Sequence, residues 1–139
     1  MRYKKSGVTF ILRIDRGEEI ISTLKQFCTD QKIALGTVQG IGAVSSAVIG
    51  LFETATKTYH TTTLSGDYEL TSLLGSITMQ DGQPYLHVHA TLSDASYHAF
   101  GGHLTGAVVS GTCEIFIRTI DDTVSRRFDP GVGLKVFDL

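Results

Sequence analysis

The sequence predicts an α+β fold, a mostly antiparallel β-sheet with one main helix packed on it. Two observations predict it. Only one stretch, near the N-terminus, spaces its apolar residues as a helix does. From Ile33 onward, short segments rich in Val, Ile, Thr and Tyr alternate with Gly-containing turns. The chain has 139 residues, enough for a single domain over 1–139, and its 42% hydrophobic content suffices for a core. Folding at this size buries roughly 68% of the surface that the unfolded chain exposes.

Gly7–Asp15 reads as a strand, with Val8, Phe10, Leu12 and Ile14 on one face. Asp15-Arg16-Gly17-Glu18 reads as a helix start, Asp15 capping and Glu18 standing three residues on as in a capping box. Ile20, Ile21, Leu24, Phe27 and Cys28 then form an apolar stripe, and the helix should stop near Asp30 to Lys32. The expected strands after it are Leu35–Gln39, Val44–Glu53, Lys57–Leu64, Tyr68–Gln80, Pro84–Leu92, Gly102–Val109, Thr112–Thr119 and Thr123–Phe128. Asp81-Gly82 is the clearest hairpin turn. Gly40-Ile-Gly42 precedes a strand and offers no helix N-terminus, so it reads as a turn or bulge needing positive φ rather than as a phosphate loop. Val44, Val48 and Phe52 on one side of their strand, and Ala47, Ile49 and Leu51 on the other, suggest two buried faces. The apolar tail Leu134–Leu139 is expected to dock on its own domain or on a neighbour.

Charge excludes a global field for nucleic acid, since the net charge is −2 and the pI about 6.2. No run approaches the 18 or so apolar residues of a membrane span. No long apolar stretch follows Met1–Ser6, so a cytoplasmic protein with free thiols is expected. Cys28 and Cys113 sit among apolar neighbours and read as buried packing.

The chemistry lies in the histidines. In Tyr85-Leu-His87-Val-His89-Ala-Thr-Leu92, strand alternation puts Leu86, Val88, Ala90 and Leu92 on a core face and His87 and His89 together on the other. Two imidazoles fixed side by side are half of a metal site. His103, in Ala99-Phe-Gly-Gly-His103-Leu, is the third candidate. The paired glycines Gly101 and Gly102 allow a tight bend that brings imidazole and backbone close to a neighbouring strand. Three histidines with an open fourth position have the form of a ligand-binding or catalytic zinc site. A bare His-x-His pair on an exposed strand is common and usually without function; the third histidine raises the reading. His60 reads as solvated surface. His98 reads as surface that could neighbour the site.

Further motifs run in order along the chain: Gly17-Glu-Glu-Ile-Ile21, Gln39-Gly-Ile-Gly-Ala43, Tyr68-Glu-Leu-Thr-Ser-Leu-Leu-Gly75, Pro84-Tyr-Leu-His-Val-His-Ala90, Gly101-Gly-His-Leu104 and Glu114-Ile-Phe-Ile117. With these the chain resembles the PPC domain (plants and prokaryotes conserved, also DUF296) over essentially its whole length. The resemblance implies an α+β subunit that assembles as a homotrimer. It also implies a metal, zinc or another divalent transition metal, on His87, His89 and His103. The family carries a DNA-binding label, but its plant members use a separate AT-hook for that contact, and this chain has no such segment.

Among the other polar residues, Glu69 could orient a ligating imidazole, although a place at the strand's solvent end or an ion pair with Arg118 explains it more simply. Glu53 and Asp94 are further carboxylates without a preferred role. Arg2, Lys4 and Lys5, and Arg126-Arg127, are the basic clusters. Tripled in a trimer they would support weak DNA binding, but solvated surface is the preferred account. The favoured reading is a metal-binding homotrimer taking an unknown small-molecule ligand. A zinc-dependent enzyme of hydrolase or lyase type is the alternative.

Overall fold

A computed structural model describes residues Met1–Leu139. It orders the chain as β1 (Arg2–Ser6), β2 (Thr9–Asp15), α1 (Ile20–Asp30), β3 (Gly36–Glu53), β4 (Thr58–Gln80), β5 (Gln83–Ser93), β6 (Ala99–Thr119), β7 (Ser125–Asp129) and β8 (Leu134–Asp138). Six strands form one sheet in the order β1-β2-β6-β3-β4-β5, and all their pairings are antiparallel. A further pairing of β5 with β6 closes β6-β3-β4-β5 on itself. The expected α+β class holds.

Three expected pairs of short strands are single long ones. Leu35–Gln39 joins Val44–Glu53, Lys57–Leu64 joins Tyr68–Gln80, and Gly102–Val109 joins Thr112–Thr119. The glycines that were read as turns between these pairs are bends within strands. Registers slip between Gly40 and Gly42 and between Val44 and Ser46, as extra residues bulge out where the sheet curls. Neither Gly40 nor Gly42 takes positive φ; each is glycine because a Cβ would come within 2.7 Å and 2.5 Å of the carbonyl oxygens of Glu114 and Thr112. The bulge after Val44 also changes the parity of β3. Val44, Ala47 and Ile49 are all buried in the core, while Leu51 is exposed, so the two buried faces expected for this strand are one. The Asp81-Gly82 turn is as expected, with φ of 51° and 75°. β1 and β8 were not foreseen as strands. β8 pairs with β7, which is where the apolar tail docks.

The core comprises Phe10, Leu12 and Ile14 of β2 with the inward residues of the other sheet strands. Val8 precedes β2 and is exposed. Helix α1 presents buried Ile20, Leu24, Phe27 and Cys28 and packs against β5 and β6. Its start differs from expectation. Asp15 is still strand, opposite Thr112, and Asp15 and Glu18 close a turn through Glu18 Oε2 accepting from Asp15 N at 2.7 Å. The cap is Glu19, whose carboxylate accepts from Ile21 N at 3.0 Å and Ser22 N at 2.6 Å. It also accepts from Ala107 N of β6 at 3.0 Å, tying the helix end to the sheet. No helix is long and apolar enough to cross a membrane.

Two predictions follow from this packing. Partial burial opposes ionisation of Glu19, but the bonds from Ser22, Ala107 and Ile21 outweigh it and hold its pKa below the usual carboxylate value. Glu19→Ala should cost about 1–2 kcal/mol in urea unfolding at neutral pH. A depressed pKa gives stability that is present above the unfolded value and lost as pH falls through the folded one. The gap between wild type and Glu19→Gln should therefore close in acid; a gap that is constant with pH refutes the capping role. Burial pushes the thiols of Cys28 and Cys113, both free, up to about 12, Glu114 adding to the shift at Cys113. Neither should react with a thiol reagent at pH 8 until the chain is unfolded, and rapid labelling of native protein would contradict this placement.

Candidate metal centre

Strand β5 divides its residues as its sequence requires. Val88, Ala90 and Leu92 are buried in the core, and His87 and His89 project from the opposite face. Closure of β5 against β6 sets His103 directly opposite His89. The three rings lie 5.1, 5.3 and 5.5 Å apart between centroids, and His87 Nε2 is 3.2 Å from His89 Nε2. One ligand nitrogen from each of the three lies within 4.8 Å of the others.

Close backbone approach makes this possible. Gly101 and Gly102 form no tight bend; both are paired strand residues of β6, opposite Thr91 and Ala90. A Cβ on Gly102 would stand 2.7 Å from the Gly50 carbonyl oxygen, so β3 and β6 meet at this separation only with glycine there. Gly75, beside His87 on the other side, is equally constrained, with a Cβ 2.5 Å from the His87 carbonyl oxygen. Gly50 leaves room for the Tyr59 ring, whose centroid lies 6.0 Å from that of His103 in an edge-on contact.

Partial loss of hydration, then the neighbouring imidazoles, hold His87 below its ordinary pKa, with Arg126 contributing least. Loss of hydration and His89 do the same for His103. Depressed values favour neutral imidazole, the form that ligates metal. The set consists of nitrogen donors only, converging from two paired strands and leaving an open side. It suits a borderline divalent ion such as zinc.

The other candidates lie apart. His98 is exposed and pairs with Asp94 at 3.4 Å across its own turn. His60 pairs with Glu53 at 3.1 Å near the β3–β4 tip. Glu69 is exposed and opposite Ser93, four residues and about 13 Å along β5 from His89. It takes no ion pair with Arg118 or any other cation. Three neighbours of the histidines were not assigned to the site from sequence: Tyr59, Tyr85 and Arg126, the last read only as half of a basic pair. Tyr85 was legible, two residues before His87 and so on its face. Tyr59 depends on the β3–β4 register and Arg126 on the docking of β7, neither of which the pattern of residues states.

The profile of the Plants and Prokaryotes Conserved (PCC) domain matches residues 1–121. This chain belongs to that family. A candidate DNA-binding protein from Bacteroides thetaiotaomicron is 34% identical, with a TM-score of 0.96 over 99% of this chain and 96% of that one. A metal-containing protein from Archaeoglobus fulgidus is 32% identical, with a TM-score of 0.89 over 100% and 99% of the two chains. Among curated proteins, the bifunctional protein GlmU of Synechococcus sp. strain JA-3-3Ab is 31% identical across 88% of this chain and 19% of its own length. The chain thus spans about a fifth of the length of the curated relatives it matches.

The glycine contacts make a prediction for this PCC domain. Gly102→Ala drives a methyl group into a backbone oxygen and should cost about 1–3 kcal/mol in urea unfolding. Gly101→Ala, whose added Cβ would stand 3.2 Å from the Ala90 oxygen, should cost distinctly less. Equal costs would show that β3 and β6 are not held together as described.

Proposed function

We propose that this PCC-domain protein binds one divalent transition metal per chain, zinc by donor chemistry, on His87, His89 and His103. The observation that carries the reading is the convergence of three imidazole nitrogens within 4.8 Å, on strands fixed by backbone pairing. The archaeal relative of nearly the same length is a metal-containing protein, which supports it. A bound ion would supply Lewis acidity at the open side of the cluster. The chain's own part is to present three neutral donors in fixed register.

The same reading includes a homotrimer. A row with three exposed apolar residues, interrupted by Gln39, crosses the outer face of the sheet to the histidines: Ile11 pairs with Phe116, Phe116 with Gln39, Gln39 with Leu74 and Leu74 with His89. Ile11, Phe116 and Leu74 are 39, 43 and 58% exposed, which favours cover by further copies. The family resemblance gives the number three.

DNA binding, in the name of the Bacteroides relative, has less support here. All of β1, with Arg2, Lys4 and Lys5, is exposed along an edge strand, where lysines discourage strand addition. Arg127 pairs with Asp138 at 3.2 Å, and Arg126 turns onto two aromatic rings. A zinc-dependent hydrolase or lyase is the second reading, the aromatic ring of Tyr59 standing edge-on to His103 beside the cluster.

Metal content by plasma mass spectrometry, on protein purified without added metal, should give close to one ion per chain. His87→Ala, with one nitrogen gone, should weaken zinc binding by more than about a hundredfold while remaining folded. Metal-free wild type that takes up no zinc on titration, or undiminished binding by the variant, would refute the centre.

A further inference from the structure

The histidine cluster has a cation beside it that nothing negative answers. Arg126 comes from β7, beyond residue 121 where the family profile ends. Its guanidinium carbon lies 4.5 Å from the centroid of the Tyr85 ring and 4.7 Å from that of Phe137. Its polar partners are all neutral oxygens. Nε donates to Thr78 Oγ1 at 2.8 Å, one terminal nitrogen to the Lys135 carbonyl at 2.9 Å, and the other reaches Ser76 Oγ at 3.5 Å. None of the chain's ion pairs includes it.

Register sets this cation against the cluster. Ser76 is the direct cross-strand partner of His87, and Tyr85 stands two residues before His87 on the same face. The guanidinium, bonded to Ser76 and Thr78 and lying over Tyr85, therefore covers the end of the row that carries the imidazoles. Of its five N–H groups the three bonds above use three, leaving two for a ligand. The two aromatic rings against it help hold its plane in place.

Charge balance then selects the ligand. Three neutral imidazoles leave both charges of a divalent ion uncompensated, Arg126 adds another, and no carboxylate belongs to the cluster. Resting on the metal reading above, we propose that the centre takes a small oxyanion, a carboxylate or phosphate group, held between the histidine-bound metal and the Arg126 guanidinium. Two oxygens of one such group satisfy both cations, and planar guanidinium suits either carrier.

Cobalt(II)-loaded protein tests this, because its visible spectrum reports on the metal's ligands. Wild type is titrated with acetate and, separately, with inorganic phosphate. At least one should shift the spectrum saturably, and which one does identifies the carrier. Arg126→Gln should still take up cobalt but bind that anion roughly ten- to a hundredfold more weakly. Arg126→Lys keeps the charge without the planar fork; it should fall between the two and serves if the glutamine variant does not fold. A spectrum indifferent to both anions, or equal affinity in wild type and the folded variants, overturns the proposal. Failure of wild type to take up cobalt is seen before any anion is added; it overturns the metal reading, and this inference with it.

Discussion

The closure of β5 onto β6 is the constraint on which the rest depends. Strand β6 pairs with β2 and β3 through its second half and with β3 and β5 through its first. That double use requires β3 and β6 to approach more closely than side chains allow, and Gly102 against the Gly50 carbonyl is where they do. The immediate consequence is that His103 faces His89. Two residues distant by sequence become neighbours through backbone hydrogen bonds, whose geometry does not depend on the side chains they carry.

The same strands serve stability and chemistry on opposite faces. β5 sends Val88, Ala90 and Leu92 into a core shared with α1, and β6 contributes Leu104, Ala107 and Val109 to it. The helix is pinned to this layer by Glu19, which caps its N-terminus and accepts from Ala107. The imidazoles stand outside, where their mutual repulsion on protonation does not burden the core. Rigid backbone below and an open side above is the arrangement that binding sites built on sheets commonly show.

Much of this was legible in the sequence where side-chain period alone decides. The helical stripe from Ile20 to Cys28, the two faces of β5 and the Asp81-Gly82 turn all follow from local spacing. The pairing of His103 with His89 was expected only as a meeting of residue types; its basis in a direct register needed the fold. Glycine misled most often. In Gly40-Ile-Gly42 it marks a bend inside a long strand, because a missing Cβ serves a close strand crossing as well as it serves a turn, and at Gly66 a φ of 123° bends β4 within its length. Asp15 mimicked a helix cap because acidic residues favour both caps and the turn after a strand. Tyr59 and Arg126 carry no local signal. Each reaches the cluster through a pairing or docking of hairpins far away in sequence.

X-ray absorption at the edge of the metal, on protein loaded with one equivalent of zinc, tests the central claim most directly. The account predicts imidazole scattering from three nitrogen ligands at about 2.0–2.1 Å, with any remaining shell made of exchangeable light atoms. Sulfur in the shell, or fewer than three imidazoles, would place the ion elsewhere and contradict it.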